Sequence, residues 1–129
     1  MKALTVDLDG TAGCPRRARA AASAYLEQLA ARRPAAGADA RRAVLLAVSE
    51  LVTNAVRHAP GPLTLVLTAP EGAVGITVSD TSPLPPRPRR GDLAGQGGGF
   101  GWTSVQRLSL RSHVVTRHDG KDVHVLLPW

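Results

Sequence analysis

Two short turns, Glu71-Gly72 and Asp119-Gly120, each separate a pair of segments in which apolar residues recur at alternate positions. Leu63, Leu65 and Leu67 precede the first turn, and Val74, Ile76 and Val78 follow it. Residues 110–117 and 123–127 flank the second. Period-two patterning marks a half-buried strand. A connection this short can join only antiparallel neighbours, because a parallel pair needs a long crossover. The second half of the chain is thereby committed to antiparallel hairpins.

The first half has a different period. Residues 3–8 alternate (Leu4, Val6, Leu8) and predict one strand, ended by the turn Asp9-Gly10-Thr11. Pro15 suits the first turn of a helix, and residues 18–31 are strongly helix-forming. Residues 34–37 break that helix, and Asp39 is positioned to cap a second one running to about His58. Pro60-Gly61-Pro62 stops it. Residues 81–99 lose regularity, with prolines followed by glycines, and residues 102–108 predict a short helix. The order is strand, helix, helix, strand, strand, loop, helix, strand, strand. That order does not look like a doubly wound parallel sheet, where strands and helices alternate. It predicts one α/β two-layer sandwich of the α+β kind over residues 1–129, with a mixed, mostly antiparallel sheet and helices on one face.

Composition narrows the function classes. Aromatic residues are only 3% of the chain, so the core must be built from Val, Leu and Ala. No apolar run approaches the roughly 18 residues of a membrane span. The N-terminus lacks a basic-then-apolar leader pattern, which predicts a cytoplasmic protein with no membrane partner. Cys14 is the only cysteine, which excludes an internal disulfide and a multi-cysteine zinc site. The net charge is +6, yet only Lys2 and Lys121 among the 16 basic residues are lysines. The arginines are dispersed, without a base-stacking aromatic platform, and argue for an acidic protein partner or a phosphate ligand over nucleic acid.

Three features carry chemistry. At about 100° per residue, Glu50, Asn54 and His58 share one side of the second helix, with Ala43, Ala47 and Arg57 beside them. Leu45, Val48, Val52, Ala55 and Val56 form an apolar stripe opposite. A Glu and an Asn four apart usually mark only a solvated face. They also pair a carboxylate able to take a proton with an amide oxygen suited to Mg²⁺. Asp80 ends an apolar strand, at the rim where a carboxylate can accept a hydrogen bond from an exocyclic amine; the bland alternative is a turn-starting Asp. Gly97-Gly98-Gly99-Phe100-Gly101 leads directly into the short helix, an arrangement that either cradles phosphate with backbone N–H groups or is a plain surface loop.

Taken together, these segments resemble the GHKL superfamily of ATP-binding domains, which includes histidine kinases, gyrase and MutL. The nearer resemblance is to the small histidine-kinase-like ATPases of actinobacteria related to anti-sigma-factor serine kinases. Residues Glu50 to Ala59 resemble the N box, Val78-Ser79-Asp80 the start of the G1 box, and Gly97 to Gly101 the G2 box. Gly120-Lys121 and residues 123–128 resemble the last strand. The resemblance implies a Bergerat-type ATP-binding fold with ATP and Mg²⁺ as cofactors. It implies that Asn54 holds the metal, and that Glu50 is the general base or positions the nucleophile. Asp80 would bind the adenine amino group. Gly97, Gly98, Gly99, Phe100 and Gly101 would enclose the phosphates, with His58 and Arg57 nearby. Where the family has Asp-x-Gly-x-Gly, this chain has Asp80-Thr81-Ser82-Pro83-Leu84.

The implied function is an ATP-dependent serine/threonine kinase of the anti-sigma type. Its partners would be a sigma factor or an anti-anti-sigma protein, docked through a first helix bearing Arg16, Arg17 and Arg19; a homodimer is compatible with it. The missing G1 glycines leave a non-catalytic binding module as the alternative.

Overall fold

The computed structural model describes residues 1–59, 61–86 and 101–129. Strand β1 (Leu4–Leu8) is followed by helices α1 (Cys14–Arg32) and α2 (Ala40–His58) and then by the hairpin β2 (Leu63–Thr68) and β3 (Ala73–Asp80). A short helix α3 (Trp102–Leu108) precedes the closing hairpin β4 (Arg111–Arg117) and β5 (Gly120–Pro128). The element order is the one the periodicities predict. The five strands lie in the order β1-β2-β3-β5-β4, and every neighbouring pair among them is antiparallel.

The register explains the layering. Leu4 pairs with Leu67, Leu65 with Val78, Ile76 with Val125, and Val114 with Val123, so apolar positions of all five strands fall on one face. That face meets the helices, and Leu65, Leu67, Val74, Ile76, Val78 and Leu127 are essentially inaccessible to water. The opposite face carries Thr5, Thr64, Thr77, His113 and His124, where alternation puts polar side chains. Val and Leu dominate the core, with Trp102 and Trp129 at its margins. The Trp129 indole donates to the Arg33 carbonyl at 2.8 Å and ties the C-terminus to the end of α1.

Two local expectations are corrected. Asp39 occupies the cap position of α2, but its side chain makes no capping bond. Its backbone is already helical (φ −94°, ψ −2°), whereas a capping side chain reaches forward from an extended residue. The apolar face of α2 is also wider than the predicted stripe and rotated from it. Val44, Ala47, Val48, Leu51, Val52 and Ala55 are buried, while Leu45 and Val56 are half-buried at its edge. The rotation brings Glu50 and Asn54 inside the protein.

Candidate functional site

Glu50 and Asn54 are 8% and 7% exposed, so the solvated-face reading does not hold. Their burial comes from what covers α2: the sheet on one side and the start of α3 on the other. The Glu50 carboxylate accepts the Gly101 backbone N–H at 3.2 Å, a bond between residues 51 apart in sequence. Gly101 caps α3 with φ +38° and ψ −168°, a backbone conformation that a Cβ disfavours. Glycine there lets the chain turn sharply and present its N–H to Glu50.

Asn54 is the anomaly. Both polar atoms of its side chain are buried, and neither has a hydrogen-bond partner among the described residues. An orphaned buried amide costs about 1–3 kcal/mol per unsatisfied group. Asn54 lines a cavity with Leu51, His58, Asp80, Lys121 and Val123. His58 is exposed on the last turn of α2 but faces this cavity. Arg57 is exposed and does not line it. Gly97, Gly98, Gly99 and Phe100 lie outside the described residues, so only Gly101 of that run can be placed.

At the far end of the cavity, Asp80 is buried and already engaged. Asp80 and Lys121 are direct partners in the β3–β5 ladder, continuing inward the face that carries Val78 and Val123. The Lys121 ammonium lies 2.8 Å from one Asp80 carboxylate oxygen and 3.0 Å from the other. It also donates to the Ser82 carbonyl at 3.3 Å. The Ser82 N–H donates to Asp80 at 2.9 Å, and the Leu84 N–H to the Ser82 hydroxyl at 3.2 Å. Ser82 and Leu84 stand where the G1 pattern has glycines, and here they wrap the ion pair. Gly120 allows β5 to begin this close to β3, since a Cβ on it would collide with the Asp80 carbonyl oxygen. Lys121 is a site residue that the sequence motifs alone do not single out. Its signal was the alternation Val123, Val125, Leu127, which extended backwards places residue 121 on the core face.

A buried carboxamide with no hydrogen-bond partner among the described residues thus lies one helical turn from a buried carboxylate that meets the glycine cap of α3. Residues 13–127 match the family model described as a histidine kinase-like ATPase domain. The chain belongs to that family. The same fold occurs in a solved structure of the RsbU and RsbW domains of Rv1364c from Mycobacterium tuberculosis. The match has a TM-score of 0.73 and 19% identity, and covers 99% of this chain and 32% of that one. This chain thus spans about a third of that structure's length. No curated protein matches the sequence.

For a histidine kinase-like ATPase, the donor set divides in two. The Asn54 end fits a metal–phosphate group: its amide oxygen is a hard ligand, and it has no hydrogen-bond partner among the described residues. At the Asp80 end both carboxylate oxygens are already held by Lys121, and one of them also accepts the Ser82 N–H. No helix among the described residues is long and apolar enough to cross a membrane. No cluster of three or more His, Cys, Asp or Glu suited to a metal occurs among them either.

Proposed function

We propose that the protein is an ATP-binding regulatory kinase of the anti-sigma type. It transfers a phosphoryl group to a serine or threonine of an anti-anti-sigma partner in the cytoplasm. The observation that carries this reading is the Asn54 side chain, buried without a hydrogen-bond partner among the described residues, one turn from Glu50 in a histidine kinase-like ATPase domain. Asn54 and the glycine run would hold the Mg²⁺-bound triphosphate. The metal supplies charge neutralisation at the phosphates when bound. The Gly101 N–H orients the Glu50 carboxylate, which would accept the proton of a substrate hydroxyl. Arg16 and Arg19 are exposed on α1 and suit an acidic partner. Arg17 is less available, because it pairs with Asp9 at 2.9 Å.

A second reading is a non-catalytic docking module, and the observation favouring it is the Asp80–Lys121 pair at the base end of the site. The deciding experiment is phosphoryl transfer from labelled ATP to a partner captured from the native lysate. Thermal shift with Mg²⁺-ATP is measured alongside. Transfer by the wild type, lost in Glu50→Ala with the thermal shift retained, supports the kinase. Partner capture with no transfer, in wild type and variant alike, supports the docking module.

A further inference from the structure

The buried ion pair at the end of the cavity determines what part of a ligand the site can read. Lys121 and Asp80 side chains are 5% and 2% exposed. An ammonium has three donors, and Lys121 has three acceptors: both Asp80 oxygens and the Ser82 carbonyl. One Asp80 oxygen additionally accepts the Ser82 N–H. The ammonium is thereby fully used, and three of the four lone-pair positions on the carboxylate are taken. An adenine amino group offers Asp80 one neutral N–H in place of a full charge. With Lys121 in place, that N–H would share an oxygen whose charge the ammonium already balances; displacing Lys121 for it would strand an ammonium ion in a buried place, which is costly. The space agrees with the chemistry. The cavity between Asn54, Asp80 and Lys121 measures about 10 Å³, close to the minimum for one water and far too small for a purine. The two ends of the site thus differ in kind: the Asn54 amide has no partner among the described residues, and the Asp80 carboxylate is ion-paired.

We propose that Lys121 takes the place on Asp80 that a nucleobase amine would take, so that the site binds Mg²⁺-bound triphosphate chains with little regard to the base attached. This rests on the reading that Asn54 holds the metal–phosphate end. The replacement of the G1 glycines belongs to the same device. Ser82 supplies an N–H and a carbonyl to the pair, and its hydroxyl holds the Leu84 N–H. The turn is thereby folded around the ion pair and not opened towards a base.

The test is a calorimetric titration of the full chain in Mg²⁺ with ATP, GTP, CTP and inorganic triphosphate. The wild type should bind all four within about threefold of one another, since a base that makes no hydrogen bond to a charged group forgoes the roughly tenfold or more such a bond contributes. Lys121→Met frees Asp80. It should bind ATP about tenfold tighter than the wild type, with inorganic triphosphate unchanged. ATP should also raise its melting temperature more than it raises that of the wild type. Wild-type affinity for ATP more than about tenfold above that for GTP and inorganic triphosphate overturns the proposal, and that ranking needs no variant to fold. Unchanged ATP affinity in a folded Lys121→Met also overturns it. In both cases the metal–phosphate reading survives if Asn54→Ala weakens inorganic triphosphate. If none of the four ligands binds the wild type, the proposal and the reading beneath it fall together.

Discussion

Replacing Asn54 by leucine isolates the cost of keeping an unpartnered amide in the protein. Leucine branches at the same carbon and nearly reproduces the outline of asparagine, while its two terminal groups are methyls. The surroundings include Leu51, Ala55, Val78 and Val123, which suit an apolar side chain. Both polar atoms of Asn54 are buried without hydrogen-bond partners among the described residues. Each such atom costs about 1–3 kcal/mol. Water reaching a residue that is 7% exposed recovers part of that cost, and imperfect fit of the leucine offsets more. The expected net effect of Asn54→Leu is a stabilisation of about 1–2 kcal/mol. For a chain of 129 residues this corresponds to a rise in melting temperature of roughly 4–8 °C. Urea denaturation without nucleotide, read by far-UV circular dichroism, gives the free energy directly. A parallel melt in Mg²⁺-ATP should show that the variant gains nothing from ligand, because stabilisation by mass action requires binding. A residue that is better replaced for stability and indispensable for binding is one retained for its ligand. If Asn54→Leu instead unfolds more than about 1 kcal/mol more easily than wild type, the amide has a structural role and the inference from its lack of partners is wrong.

Three further outcomes follow from other parts of the structure. Gly101→Ala should lower stability by about 1–3 kcal/mol, because alanine is strained at φ +38°, ψ −168°; an unchanged denaturation midpoint would show that the turn into α3 does not need glycine. Trp102, 9% exposed and adjacent to Gly101, should change its fluorescence on addition of Mg²⁺-triphosphate, and the change should survive Trp129→Phe and vanish in Trp102→Phe; a signal that follows Trp129 places the ligand elsewhere. The Thr11 backbone N–H, then the Cys14 thiol and the Thr11 hydroxyl, hold the Asp9 carboxyl well below the usual carboxylate value of 3.8. A depressed folded-state value means its stabilising contribution is fully present above the unfolded value of 3.8 and is lost progressively as pH falls from there through the lower folded value. Asp9→Asn should therefore flatten the acid limb of the pH–stability curve, and an identical acid limb in the variant would remove Asp9 from that dependence.

The elements were legible in the sequence because their causes are local. Alternation from Leu63 to Val78 and the two glycine turns follow from the pleat of a strand, and the long apolar-periodic stretch ending at His58 follows from the turn of a helix. The Asn54 and Glu50 spacing was visible for the same reason. What surrounds those residues was not. The Asp39 side chain leaves its expected capping bond unmade because the local backbone is helical, a conformation that no residue type reports. Glu50 receives the Gly101 N–H only because α3 returns across the end of α2. Asn54 is isolated from solvent only once α2 is rotated into the layer above β3 and β5. Above all, Asp80 reads in sequence as an open acceptor at a sheet rim. The β3–β5 register sets it against Lys121, 41 residues away, and turns it into half of a buried ion pair. Periodicity records which face a side chain takes along its own strand. Which charge it meets across the ladder is decided by register, and register is a property of the assembled sheet.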